Sequence, residues 1–192
     1  KIPVMNYSFS DSNVAIVKTN FLINKNKNIF FKDISIKDRD NEFALKNLHL
    51  DKDYNLINFH EIMVKTSIDN KVNNEFKITN KNKINIEGKV FDAKMLIKEL
   101  NKDSKKNTFL KKLSKDVEVD FDKVLKVAKF PIKNFRLVGK INEGVFEKIQ
   151  AKSDFSSNEH LDILLKKQKE TDVKILEVVS DIATPLLSDY KF

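Results

Sequence analysis

The amino-acid sequence predicts a mainly β protein: a long antiparallel meander with one or two short helices, whose apolar face either curls on itself or serves another guest. Three observations predict it. Apolar residues recur with period two along most of the 192-residue chain, the spacing that places them on one side of a strand. Turn-forming residues separate these segments about every ten residues, the rhythm of a hairpin meander. Segments with helical spacing are few and short, too few to cover the sheet that so many strands would make.

The elements follow in order. Residues 13–18 and 20–24 are two short apolar runs. Residues 29–37 read IFFKDISIK, a strand in which Phe31, Ile34 and Ile36 show a slip of phase. In residues 42–50, Phe43 and Leu45 share one face while Leu48 and Leu50 share the other. A bulge between the two pairs would restore the register. Residues 56–65, with Leu56, Phe59, Ile62 and Val64, form another strand with a phase shift, and residues 75–79 continue the pattern weakly.

Ile84, Ile86 and Val90 alternate cleanly. Asp92 then stands where a helix N-cap belongs, and Met95, Leu96 and Leu100 fall at helical spacing, so a helix is expected over 92–101. Phe109, Leu110 and Leu113 point to a second short helix or an ordered loop within 102–116. The second half resumes with Val117, Val119 and Phe121 set against acids, and with a strand over 131–141 that slips once. Asn142, Glu143 and Gly144 make a tight hairpin turn in which Gly144 suits a positive φ. Further strands follow at 145–151, 161–165 and 173–179, and Asp181 is placed to cap a last helix. No glycine-rich boundary divides the chain. One β-rich module over 1–192 is expected, with a helical interruption near 92–115. Because the sequence starts at Lys1 without an initiator Met, it is expected to be a fragment of a longer protein.

Composition removes several function classes. Cysteine is absent, which excludes thiol catalysis, thiolate metal sites and disulfides and fits an oxidising compartment as well as, by chance, a cytosolic protein. His49, His60 and His160 are isolated, and the adjacent His60 and Glu61 point to opposite faces of a strand. The acidic pairs Asp38/Asp40, Asp51/Asp53 and Asp120/Asp122 lack the glycine of a calcium loop and have the spacing of a solvated strand face. No nucleophile elbow or phosphate-cradling glycine loop occurs. No enzyme, metal or cofactor is therefore expected. The net charge of +8 comes from Lys interleaved with Asp and Glu, and Arg occurs only at Arg39 and Arg136. That is not the footprint of a nucleic-acid reader, and no nucleic-acid partner is expected. No apolar run approaches the ~20 residues needed to cross a bilayer as a helix.

Four pieces within residues 84–192 resemble a known family: INIEGKVFDAKMLIKEL, VEVDFDKV, IKNFRLVGKINEGVFEKIQAKSDF and VKILEVVSDIATPLLSDYKF. Residues 84–192 are similar to the AsmA-like superfamily, and more closely to its long YhdP-type branch of bridge-like lipid transfer proteins. Gly88, Phe91, Asp92, Ala93 and Lys94 match a strand that ends in Gly-x-x-Asp-Ala-(Lys/Arg), with one extra residue before the Asp. Ser180, Asp181, Ile182, Ala183, Thr184, Pro185, Leu186 and Leu187 match a Ser-x-Asp-Ala-Gly-x-Leu-Leu stretch, with Thr184 in place of the glycine and a contracted spacing.

The resemblance implies a periplasmic module tethered to the inner membrane of a Gram-negative bacterium through an anchor outside this fragment. Its long, curved antiparallel sheet would form an open apolar groove that holds phospholipid acyl chains on their way between the inner and outer membranes. The expected lining is Ile84, Ile86, Val117, Val119, Phe121, Phe135, Leu137, Leu161, Ile163, Leu165, Val173 and Ile175. The competing expectation is a closed β-sandwich acting as a spacer or protein-interaction module of the envelope. It differs in one respect: its apolar face packs on itself.

Overall fold

A computed structural model of the chain describes residues 14–94, 112–125, 131–155, 159–168 and 173–182. Among the described residues, twelve strands make one open sheet: β1 (Ile16–Ile23), β2 (Ile29–Asp38), β3 (Asn41–Leu50), β4 (Leu56–Asn58), β5 (Glu61–Ile68), β6 (Lys71–Asn80), β7 (Ile84–Asp92), β8 (Lys115–Leu125), β9 (Ile132–Asn142), β10 (Val145–Asp154), β11 (His160–Lys167) and β12 (Lys174–Ser180). Strands pair in chain order from β1 to β12, except that the short β4 pairs only with β3 and β5 takes the next place along the sheet. The terminal strands β1 and β12 do not meet.

The expected meander is corrected at one joint. β7 and β8 are parallel, with Ile84 opposite Val117 and Ile86 opposite Val119. The physical reason is the connection. A two-residue turn can join only antiparallel strands, whereas a parallel pair needs a crossover of a dozen residues or more, and residues 93–114 supply one. The helix expected over 92–101 lies outside the described residues from 95 onward. At its start Asp92 closes β7, and its carboxylate accepts the Lys94 N–H at 3.1 Å. The short helix or loop expected within 102–116 lies outside the description up to residue 111, and Lys115 and Asp116 belong to β8. The last helix expected after Asp181 lies outside the described residues from 183 onward. Asp181 Oδ2 accepts the His160 N–H at 2.7 Å.

The slips of phase have local causes. Asn47 in β3 and Asn134 in β9 both adopt left-handed backbone, at φ 52°, a conformation asparagine tolerates better than most residues. Each turns the strand over by one residue. Leu48 and Leu50 thereby join Leu45, and Ile132 rejoins the face of Phe135. On β2 the pairing with β1 jumps from Asn20↔Asp33 to Phe21↔Phe31, leaving Lys32 bulged. The expected single strand over 56–65 is broken at Phe59 and His60 into β4 and β5. The His60 N–H still donates to the Lys46 carbonyl at 3.0 Å, holding the two halves on β3. Two hairpins close through turns with positive φ at both central residues, Asp69-Asn70 and Glu143-Gly144, as the right-handed twist of paired strands favours.

Register carries the alternation across the sheet. Ile36, Phe43, Val64, Phe76, Gly88, Phe121 and Phe135 form one cross-strand row. The neighbouring row of the same face runs through Ile34, Leu45, Ile62, Ile78, Ile86, Val119, Leu137, Ala151, Ile163 and Val178. The opposite face is charged. Glu61 lies between Lys46 at 2.7 Å and Lys77 at 3.2 Å, and Asp120 meets Arg136 at 2.6 Å.

Candidate functional site

The apolar face holds three packed clusters that merge through shared residues. Leu45, Leu48, Leu50, Leu56 and Phe59 form the first, under β2–β5. Ile84, Leu113, Val117 and Ile141 form the second, joined to the first through Ile78. Ala93, Phe121, Val124, Ile132, Phe155 and Leu161 form the third, joined to the second through Ile86 and Val119. Fully burying one such side chain contributes about 1.5–3 kcal/mol.

Gly88 sets up the middle of this face. A Cβ there would stand under 3.0 Å from the Glu75 carbonyl oxygen and from Phe76. The bare backbone instead lets the Phe76 ring cross β7 and meet Phe121 edge-on at 5.8 Å. Phe91 completes the group, edge-on to Phe76 at 5.7 Å and stacked on Phe121 at 5.4 Å.

Both described ends of the crossover enter the apolar face. Ala93 joins the third cluster and Leu113 the second. Lys112 and the backbone of Leu113 are held by polar bonds. Lys112 Nζ donates to Asp51 Oδ2 at 2.6 Å, while the Gly144 N–H donates to the Leu113 carbonyl at 2.9 Å. Asp51 is itself buried and takes two donors from Asn55, the backbone N–H at 2.8 Å and the side-chain amide. The Lys112 ammonium, and after it the Asn55 amide, holds the Asp51 carboxyl well below the usual carboxylate range. Polar groups also rim the other end of the face. Asn74, 0% exposed, donates to Thr66 Oγ1 at 2.9 Å and accepts the Asp92 N–H at 3.0 Å.

Of the twelve residues expected to line the face, ten share it. Ile84, Ile86, Val117, Val119, Phe121, Phe135, Leu137, Leu161, Ile163 and Leu165 are brought to one side by register. Ile175 is not among them. It pairs with Lys166 and so lies on the charged face, where successive side chains alternate. Val173 precedes β12 and lies outside the strand. Leu176 and Val178 take their place, opposite Leu165 and Ile163. Both alternations of that segment are apolar, so spacing alone did not choose between them.

The face also extends where no lining had been assigned. Ile29, Phe31, Ile34, Phe43, Leu45, Ile62 and Ile78 continue it across the first half. Their alternation was visible, but the slips at Lys32 and Asn47 hid that the strands share a side.

The expected open groove is not what the described residues display. Side chains of the chain itself fill the centre of the apolar face, down to 1% exposure at Ile132 and Leu161. Cavities of 590 and 480 Å³ lie mainly on the charged side, lined among others by Lys65, Lys77, Glu87 and Asp120, and by Glu118, Arg136 and Lys152. Apolar side chains do stand in the open at both flanks: Phe21 is 55% exposed on β1 and Leu176 62% on β12. No group of His, Asp or Glu able to hold a metal ion occurs among the described residues. His160 Nδ1 lies 3.0 Å from Asp154 Oδ1 on the surface. Comparison with protein-family models, curated proteins and solved structures finds no significant match for this chain.

Proposed function

We propose that this chain is a non-enzymatic lipid-binding module of an AsmA-like envelope protein, holding phospholipid acyl chains during passage between the inner and outer membranes. One observation supports the reading above others. The apolar face runs the width of the sheet and ends at both flanks in exposed side chains such as Val17, Phe21, Leu176 and Val178. An exposed apolar surface of this kind marks a place for an apolar guest. Each methylene of an acyl chain laid on it contributes about 0.8 kcal/mol, and no polar contact fixes the chain at one point, so movement along the face is diffusive. In this reading the module sits in the periplasm, tethered to the inner membrane by a segment beyond these residues, and its headgroup side faces solvent.

A second reading is favoured by the packed centre of the sheet. With Ile132, Leu161, Val117 and Val64 buried by the chain itself, the module would be an envelope spacer or interaction unit that carries no lipid.

Native mass spectrometry and solvent extraction of the purified protein separate the two. Co-purifying phospholipid that is lost on Ile163→Asp, with circular dichroism unchanged, supports the carrier. Lipid-free protein, or lipid that survives Ile163→Asp together with Leu176→Asp, refutes it and leaves the spacer.

A further inference from the structure

We propose that this chain assembles with copies of itself edge to edge, β1 of one copy adding to β12 of the next so that the apolar face continues from copy to copy. β1 and β12 are the two ends of the sheet, and no described strand pairs with their outer sides. Natural sheets guard such edges with proline, inward charges or very short strands. β1 is eight residues long, IVKTNFLI, with Lys18 its one charge. Its apolar residues stand open on both faces, Ile16 at 56% and Val17 at 60% exposure, and β12 matches it with Val178 at 47% and Val179 at 66%.

Three features select a second copy as the occupant. The first is polarity. Nine of the ten joints along the sheet are antiparallel and the β7–β8 joint is parallel, so β12 runs opposite to β1. A second copy with the same face upward therefore offers its β1 antiparallel to β12. Ten antiparallel joints would have made that pairing parallel.

The second is register. Setting Lys18 opposite Glu177 places Val17 on Val178, Ile16 on Val179 and Thr19 on Leu176. Val17 lies beside Ile36 and Val178 beside Ile163, both on the apolar face. Lys18 lies beside Ser35 and Glu177 beside Leu164, both on the charged face. Every side chain in the join thus meets one from its own face.

The third is charge. Glu177 already holds Lys166 of the neighbouring strand at 2.7 Å, and Lys18 would approach from the other side. The chain uses this arrangement internally, where Glu61 lies between Lys46 and Lys77 of its two flanking strands. Because the two joined edges differ, the contact is heterologous, and a join that keeps the same face upward repeats from copy to copy.

Sedimentation velocity of the lipid-extracted full chain over a concentration series tests this apart from any lipid reading. The expected weight-average mass rises from 22.3 kDa past that of two copies without a plateau. Lys18→Glu or Glu177→Lys alone sets like charges across the join and weakens association by about tenfold or more. An equimolar mixture of the two variants restores it, because each then meets its opposite. A wild-type chain that stays monomeric, a plateau at two copies, single variants that associate as wild type does, or a mixture that fails to recover would each overturn the proposal.

Discussion

Gly88→Ala is expected to be among the most damaging conservative changes in the sheet, and the structure supplies the magnitude. Glycine to alanine within a strand ordinarily gains about 0.5–1 kcal/mol. At Gly88 the new Cβ would stand under 3.0 Å from the Glu75 carbonyl oxygen and from the Cα and Cβ of Phe76. None of these is the free end of a flexible side chain, so β6 and β7 must part at their register shift between Glu75 and Phe76. Overpacking of this kind costs about 1–3 kcal/mol. Displacing Phe76 from Phe91 and Phe121, at 5.7 and 5.8 Å, removes about 0.5–1.5 kcal/mol for each ring pair. The net expectation is a loss of about 3 kcal/mol, or a fall in Tm of roughly 6–12 °C for a chain of this size.

Urea denaturation followed by circular dichroism reads it as a lower midpoint at unchanged slope. Gly139→Ala is the internal comparison. Its Cβ would meet the Lys148 carbonyl at 3.0 Å and the Phe146 ring at 3.3 Å, contacts that a shift of a few tenths of an ångström relieves, so its cost stays under about 1 kcal/mol. Because part of the Gly88 clash is with backbone, adding Phe76→Ala is not expected to rescue it. A Gly88→Ala protein within about 0.5 kcal/mol of wild type, or one no worse than Gly139→Ala, would refute the reasoning.

Three further predictions concern the packing and the polar rim. Ile132→Ala removes a side chain that is 1% exposed and should cost about 2–5 kcal/mol in the same assay. Glu143 holds left-handed backbone at φ 49° in the β9–β10 turn, and Glu143→Asn should stabilise by about 1 kcal/mol, read as a raised urea midpoint. Asp51 is held ionised by Lys112 and Asn55, so its folded-state carboxyl titrates lower than its unfolded one. The stability it contributes is present above the unfolded value of about 4 and is lost as pH falls toward the folded value. Asp51→Asn should therefore be less stable than wild type at pH 7, with the gap closing on acidification below pH ~4. A gap that stays constant with pH would show that the Lys112 contact is not the cause.

Much of this protein follows from alternation alone. Period-two runs located the strands, and their scarcity between Asp92 and Lys115 marked the place where the chain leaves the sheet. The slips were visible as well. Phe43 and Leu45 cannot share a side with Leu48 and Leu50 unless a residue between them turns over, and Asn47 does so at φ 52°. Within any one strand, the choice of inner and outer side rests on side chains two residues apart and needs no partner.

What alternation cannot carry is which strands meet and in which direction. Tight turns at Asp69-Asn70 and Glu143-Gly144 enforce antiparallel neighbours because two residues permit no other path. Residues 93–114 impose no such limit, and the β7–β8 joint is parallel, with Ala93 and Leu113 packed into the apolar clusters. In β12 both alternations are apolar, so only the pairing of Leu176 with Leu165 placed Leu176 and Val178, and not Ile175, on the shared face. A strand's own pattern reports its two sides through contacts between near neighbours. The identity of that face in the folded molecule depends on hydrogen bonds to residues far along the chain, which only the assembled sheet brings together.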